Sequence, residues 1–186
     1  MKRLAIMTVG MTHSGKTTFA KKLEKSLVDS LVIDQDRHAE FIHTYYNKVQ
    51  AKTGPNIFKH SLSKFIVDYV KEQTDFHIIM SNANRKKEDR RYLLNEVFPR
   101  EEFIRIIVHF DIPYKILLNR VRNSKRSTII FRTASSFEEV LLKQKLANQL
   151  SKTPNPTKDE ADYLFLIKNN DDVDSVIEEI LHLSKL

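Results

Sequence analysis

A chain of 186 residues, 41% hydrophobic and 30% charged, has room for one domain with a sizeable core and is too apolar to stay disordered. It contains no cysteine, which excludes a disulfide framework and thiolate-held metals. It also has no run near the roughly 20 apolar residues that span a bilayer, so a cytoplasmic protein with no membrane partner is expected. The net charge of +7 is unevenly spread: residues 136–186 carry 6 Lys against 10 acids, and residues 85–132 carry 13 Lys or Arg against 6 acids. Such a basic concentration points to polyanionic ligands, either nucleotide phosphates or nucleic acid.

The basic start Met1-Lys2-Arg3 leads into an apolar run too short for a signal peptide. That run, Leu4–Val9, is the first of five; the others are Leu31–Ile33, Phe76–Met80, Phe103–Phe110 and Tyr163–Ile167. They alternate with segments of 3.6-residue period, which predicts βα units on a parallel sheet covered on both faces. With the G-x-x-x-x-G-K-[ST] match at residues 10–17, these elements make the expected fold a three-layer α/β/α P-loop domain over residues 1–186, with a five-stranded parallel sheet and a basic lid near 120–135.

The first run passes into Gly10-Met11-Thr12-His13-Ser14-Gly15-Lys16-Thr17, a full G-x-x-x-x-G-K-[ST] match, and then into a predicted helix over 16–27. The chain has three glycines, and two occupy the glycine positions of the motif. Backbone N–H groups of such a loop wrap a β-phosphate at the positive end of a helix dipole. Lys16 then reaches the β and γ oxygens, and the Thr17 hydroxyl ligates Mg²⁺. ATP and Mg²⁺ are therefore the expected cofactors, held by Gly10, His13, Ser14, Gly15, Lys16, Thr17 and Thr18. Of these, His13 stands at a variable position where its side chain is read as merely tolerated, and Thr18 is read as a helix residue without a ligand of its own.

The second run ends in Ile33-Asp34-Gln35-Asp36-Arg37-His38. Ligands of open α/β sheets bind beyond the carboxyl ends of strands. A carboxylate there can take the proton of an attacking hydroxyl, and Asp36 is the candidate. It also suits the N-cap of the helix that follows, and the two roles are compatible. Two helical stripes come next: Phe41, Ile42, Tyr45, Tyr46 and Val49, then Phe58, Leu62, Phe65, Ile66, Tyr69 and Val70. A third, Phe137, Val140, Leu141 and Ala147, lies further on, and all three read as core-packing faces. Thr53-Gly54-Pro55-Asn56 and Pro154-Asn155-Pro156 are loop breaks too short for domain linkers. After a helix from about Pro113 comes Arg120-Val121-Arg122-Asn123-Ser124-Lys125-Arg126, placed to neutralise a transferring phosphoryl group and exclude water. Adenine is expected between Arg120 and the turn at Lys168-Asn169-Asn170.

A guanine-nucleotide switch is excluded. The remaining glycine, Gly54, follows Ala51-Lys52-Thr53, so D-x-x-G cannot form, and Asn47-Lys48-Val49-Gln50 lacks the aspartate of N-K-x-D. A small kinase transferring the γ-phosphate to a hydroxyl acceptor remains.

Four blocks within residues 3–135 resemble the phage-type polynucleotide 5′-hydroxyl kinases and their zeta-toxin-like relatives. They are Val9–Thr17; Ile33-Asp34-Gln35-Asp36; Ser81-Asn82-Ala83-Asn84 with Arg90-Arg91; and Phe110-Asp111-Ile112-Pro113 with Arg122-Asn123-Ser124-Lys125-Arg126. The resemblance implies catalytic roles for Lys16, Asp36, Arg122 and Arg126, and an acceptor side built from Asp34, Arg37, Asn82, Arg90 and Arg91. It departs at Asn82, where the family often has an aspartate, and at Ala39, where it carries an arginine. Three acceptor readings follow: a nucleic-acid or nucleoside 5′-hydroxyl, a small metabolite or nucleotide sugar, or no acceptor at all in a nucleic-acid-binding NTPase.

Overall fold

The computed structural model describes residues 2–185; Met1 and Leu186, the ends of the predicted 1–186 span, lie outside them. Five strands, β1 (Arg3–Gly10), β2 (Ser30–Asp34), β3 (His77–Ser81), β4 (Phe103–Phe110) and β5 (Tyr163–Ile167), pair in the order β2-β3-β1-β4-β5. Every pairing is parallel, so all five carboxyl ends open on one edge, where the connecting loops must carry any site. The register sets Asp34 beside Ser81 and Gly10 beside Phe110 at that edge.

The helices are α1 (Lys16–Ser26), α2 (Gln35–Tyr46), α3 (Ile57–Gln73), α4 (Lys87–Tyr92), α5 (Tyr114–Arg122), α6 (Phe137–Gln149) and α7 (Asp172–Leu183). One face of the sheet is covered by α1, α5, α6 and α7, through Phe19, Leu23, Leu117, Leu141 and Ile177 against Leu4, Ile6, Ile106 and Val108. The other face is covered by α3 and the turn after α4, through Val67, Val70, Val97 and Phe98 against Ala5, Ile33, Ile78 and Phe103. This is the expected three-layer α/β/α arrangement. Among the described residues, no helix is long and apolar enough to cross a membrane.

Two of the three helical stripes turn their rings away from the core, although Ile42 of the first and Val70 of the second are buried and Ile66 packs against the core. On α3 the buried residues are Ser63, Val67 and Val70, while Phe65 and Tyr69 face solvent. On α2 they are Gln35, Ala39 and Ile42, while Phe41, Tyr45 and Tyr46 face solvent. The period was right and the phase was not. Small and β-branched side chains seat each helix on its neighbours, and the bulkier rings ride on the outer face. The third stripe holds: Phe137 and Leu141 of α6 are buried.

Two ion pairs, one fully buried and one buried on its arginine side, fasten the segment before β5. Arg90 is fully buried, donates from Nε and Nη2 to Glu160 at 2.7 and 2.9 Å, and also donates to the carbonyls of Arg85 and Pro154. Arg105 donates to Asp162 and to the Leu94 carbonyl.

Candidate active site

The cradle lies between β1 and α1. Gly10 has φ +155°, and a Cβ there would meet Phe110 Cβ at 2.9 Å and Ser14 Oγ at 3.0 Å. Only glycine fits, because the β4 neighbour fills the space a side chain would need. Its N–H donates to the Ala83 carbonyl, which ties the loop to the end of β3. Gly15, at φ +101°, forms the N-cap of α1, leaving the N–H groups of the first turn open to the cleft.

Lys16 curls back over the loop, donating to the Met11 carbonyl at 2.6 Å and to Ser14 Oγ at 3.1 Å. Desolvation pulls its pKa from 10.5 down to about 7; Arg126 and Arg85 act in the same direction, and Asp36 and Asp34 oppose. An ammonium so poorly solvated is a receptor for phosphate oxygens. One helical position on, Thr17 Oγ1 lies 3.5 Å from Asp34 Oδ2 and 3.4 Å from Ser81 Oγ. These three oxygens form the hard-donor cluster that Mg²⁺ favours.

The two acids at the end of β2 divide their work. Asp34 is the N-cap of α2: it is 4% exposed, and its Oδ1 accepts from the Asp36 N–H at 2.9 Å. This corrects the capping role considered for Asp36. Relieved of it, Asp36 turns into the cleft, where Arg126 Nη2 donates to its Oδ2 at 2.5 Å.

The lid is the irregular stretch between α5 and α6. Arg120, on the last turn of α5, donates to the His13 carbonyl at 3.2 Å and to Asn170 Oδ1 at 3.1 Å, joining lid base, cradle and the turn after β5. Arg126 stacks over the Phe137 ring at 5.2 Å. Arg132 reaches across to the loop between α2 and α3, donating to the carbonyls of Ala51 and Thr53 at 2.9 Å each. Together these elements enclose a cleft of about 810 Å³ lined by residues 12–17 of the cradle, Asp34, Asp36, Arg37, Asn82, Arg120 and Arg126, with Gly10 set behind it. Thr18 also lines it. Asn82 donates from Nδ2 to Gln35 Oε1 at 2.8 Å, so its amide is held on the cleft wall.

Four expectations need correction. Arg122 is exposed on the outer side of α5, with Nε donating to Glu138 at 3.0 Å, and does not line the cleft. Arg90 is fully buried and committed to Glu160, so it cannot meet an acceptor. Arg91 is exposed but does not line the cleft; the short α4 turns it outward. His13 is more than tolerated: its Nε2 lies 2.8 Å from Ser124 Oγ in the lid, and its ring packs edge-on to Phe137 at 4.7 Å. Burial, helped by Arg126, Lys16 and Arg120, lowers its pKa to about 4, so the ring is neutral at physiological pH.

Sequence reasoning missed Ser81 as an oxygen donor, Phe137 as the ring that meets both cradle and lid, and Lys59. The Lys59 ammonium is held below its ordinary pKa by burial, with Asp36 raising it, Arg132 lowering it and Asp34 raising it, which places a further cation near the candidate base. A signal existed for Phe137. Ser136-Phe137-Glu138-Glu139 is a capping-box pattern, and Ser136 does accept from the Glu139 N–H at 3.1 Å.

A family model described as "AAA domain" matches residues 6–149. No curated protein matches the chain. Among solved structures, APS kinase from Mycobacterium tuberculosis, in complex with AMPPNP and APS, superposes with a TM-score of 0.59 over 100% of both chains at 15% identity. Shikimate kinase from Bacteroides thetaiotaomicron gives 0.55 over 98% of this chain and 99% of that one, at 15% identity. Kti12 from Chaetomium thermophilum, in complex with ADP-AlF3, gives 0.61 over 95% and 96%, at 17% identity. Likeness at this level establishes a shared P-loop kinase fold; none of the three is a polynucleotide kinase.

Proposed function

The chain belongs to the AAA domain family, and from that premise we propose that it is an ATP-dependent phosphotransferase whose acceptor is a hydroxyl group activated by Asp36. The observation that carries this reading is the convergence, in one cleft of about 810 Å³, of Lys16, Thr17, Asp36 and Arg126. A hydrolase needs only the cradle and a held water. A second carboxylate, freed from capping and facing the cradle across the cleft, is what a transferase needs in addition.

The steps follow from the positions. The nucleotide's β-phosphate lies in the N–H groups that follow Gly10, with Lys16 shifting from the Met11 carbonyl onto the β and γ oxygens. Thr17, Asp34 and Ser81 would hold Mg²⁺, which supplies charge neutralisation across the β and γ phosphates. Arg126, offered a phosphoryl group, gives up Asp36 and takes charge developing on the γ oxygens. Asp36 accepts the acceptor's hydroxyl proton as the new O–P bond forms, the bond to the β-bridging oxygen breaks, and ADP leaves. His13 and Arg120 hold lid against cradle through Ser124 and the His13 carbonyl, which excludes water while this happens.

On the acceptor, a nucleic-acid or nucleoside 5′-hydroxyl is the reading favoured by Arg37, which lines the cleft, and by Lys59, whose ammonium feels the Asp36 carboxylate. A small-metabolite acceptor is favoured instead by the likeness to shikimate and APS kinases. The deciding test is γ-labelled ATP offered with a panel of 5′-hydroxyl oligonucleotides, nucleosides and small alcohols. Label transfer that is lost in Asp36→Asn supports the proposal. Hydrolysis with no transfer to any hydroxyl would refute it.

A further inference from the structure

We propose that the outward aromatic face of α2 and α3 is a stacking track for single-stranded nucleic acid that leads away from Asp36. The inference deepens the acceptor reading above and rests on it. Phe41, Tyr45, Tyr46 and Phe58 are 43%, 71%, 46% and 38% exposed. They nevertheless touch one another: Phe41 to Tyr45 at 5.2 Å, Phe41 to Tyr46 at 5.5 Å and Tyr46 to Phe58 at 5.8 Å between ring centroids. A contiguous exposed cluster of four rings is not what a surface without a partner carries.

The cluster begins where the cleft ends. Arg37 and Glu40 of α2 line the cleft. Phe41 follows Arg37 by four residues and Tyr45 follows Phe41 by four, so the three share one helix face. A molecule with its hydroxyl at Asp36 and longer than the cleft runs onto these rings.

Charge selects the partner. Residues 41–67 contain four lysines, Lys48, Lys52, Lys59 and Lys64, and no aspartate or glutamate. Arg132 brings the basic lid to the Ala51 and Thr53 carbonyls at the same edge. Rings that accept any base, interleaved with cations for the phosphates between them, are the chemistry of sequence-tolerant single-strand binding. A second copy of the chain fits worse. A two-fold interface places a patch against itself, which would set Lys48, Lys52 and Lys59 against their own copies, while the acids at the margins, Glu40 and the Asp68 already paired with Lys64, lie outside residues 41–67.

The test uses the full chain and 5′-hydroxyl deoxyoligonucleotides of increasing length, from a dinucleotide to a dodecamer. Apparent KM should fall with length in the parent and flatten once the track is filled. Tyr45→Ala/Phe58→Ala removes two exposed rings and should raise the KM of the dodecamer by about 25-fold or more, about fivefold for each lost stack. Its kcat/KM for the dinucleotide should not change. Fluorescence anisotropy of a labelled dodecamer, without ATP, should show the same weakening and so reads binding independently of transfer. Aromatic-dependent binding with no phosphoryl transfer would leave the track standing and remove the kinase reading. A KM independent of length, anisotropy unaltered in the double variant, or self-association in sedimentation that requires Tyr45 would each overturn the track.

Discussion

The two walls of the cleft are built on different principles. On the cradle side the chain is immobilised by its own packing: Gly10 against Phe110, Lys16 over Met11, Asp34 over the first turn of α2. On the far side, the lid meets α2 and the loop between α2 and α3 through polar bridges that a ligand can replace, Arg126 to Asp36 and Arg132 to two carbonyls. A phosphate subsite recognises one invariant group and gains from rigidity, because preformed donors need no reorganisation. An acceptor subsite has to admit, enclose and release, and gains from contacts that exchange. Charge is divided more gradually: Lys16 is desolvated, Lys59 of α3 is partly so, and Lys48, Lys52 and Lys64 are exposed.

The contrast can be broken most severely at Asp36. Asp36→Asn should reduce transfer by about 10²–10⁴-fold with ATP affinity nearly unchanged, measured by steady-state kinetics and nucleotide titration. Because Asp34 does the capping, the melting temperature should stay at the parent value; a drop would return Asp36 to a structural role. The next largest effect separates two adjacent arginines. Arg90→Ala strands Glu160 in the interior and should cost about 3–5 kcal/mol, seen as a fall in melting temperature, whereas Arg91→Ala should leave it unchanged.

Lys16→Ala should cost about 2.7–4 kcal/mol of transition-state stabilisation while the fold persists; parent-rate turnover in that variant would end the cradle assignment. The same lysine predicts a pH effect. With a pKa of about 7 in the folded protein against 10.5 for the free side chain, the unfolded chain binds more protons between those values, so stability without nucleotide rises with pH across that window. Phosphate oxygens reverse the shift. Nucleotide binding at pH 8 should therefore take up protons, detectable as a buffer-dependent enthalpy in calorimetry and absent in Lys16→Met. The smallest effect sharpens the lid. Arg122→Ala, at an exposed pair, should change stability by less than about 0.5 kcal/mol and leave transfer intact, while Arg126→Ala should lower turnover.

Legibility followed the same division. The strands, the cradle and the pair of acids were readable because parallel strands demand continuous apolar runs and phosphate binding demands glycine, lysine and threonine at fixed spacing. Periodicity on α2 and α3 gave the helices but not their facing, since Phe41, Tyr45 and Phe65 are apolar whether they point at the sheet or at water. Arg90 and Arg122 were misplaced for a related reason. A basic residue near a phosphate site and one held by a distant carboxylate look alike until Glu160 and Glu138, 70 and 16 residues away, are brought in by the fold.

The grip of Arg132 falls on main-chain oxygens, those of Ala51 and Thr53, and not on side chains. Any residue at either position presents the same carbonyl, so the clasp does not restrict which amino acids occupy this loop. The side chains of 51–53, Lys52 among them, are left free to drift under selection for whatever lies against the loop. Homologous chains could then change what they accept while closing over it in the same way.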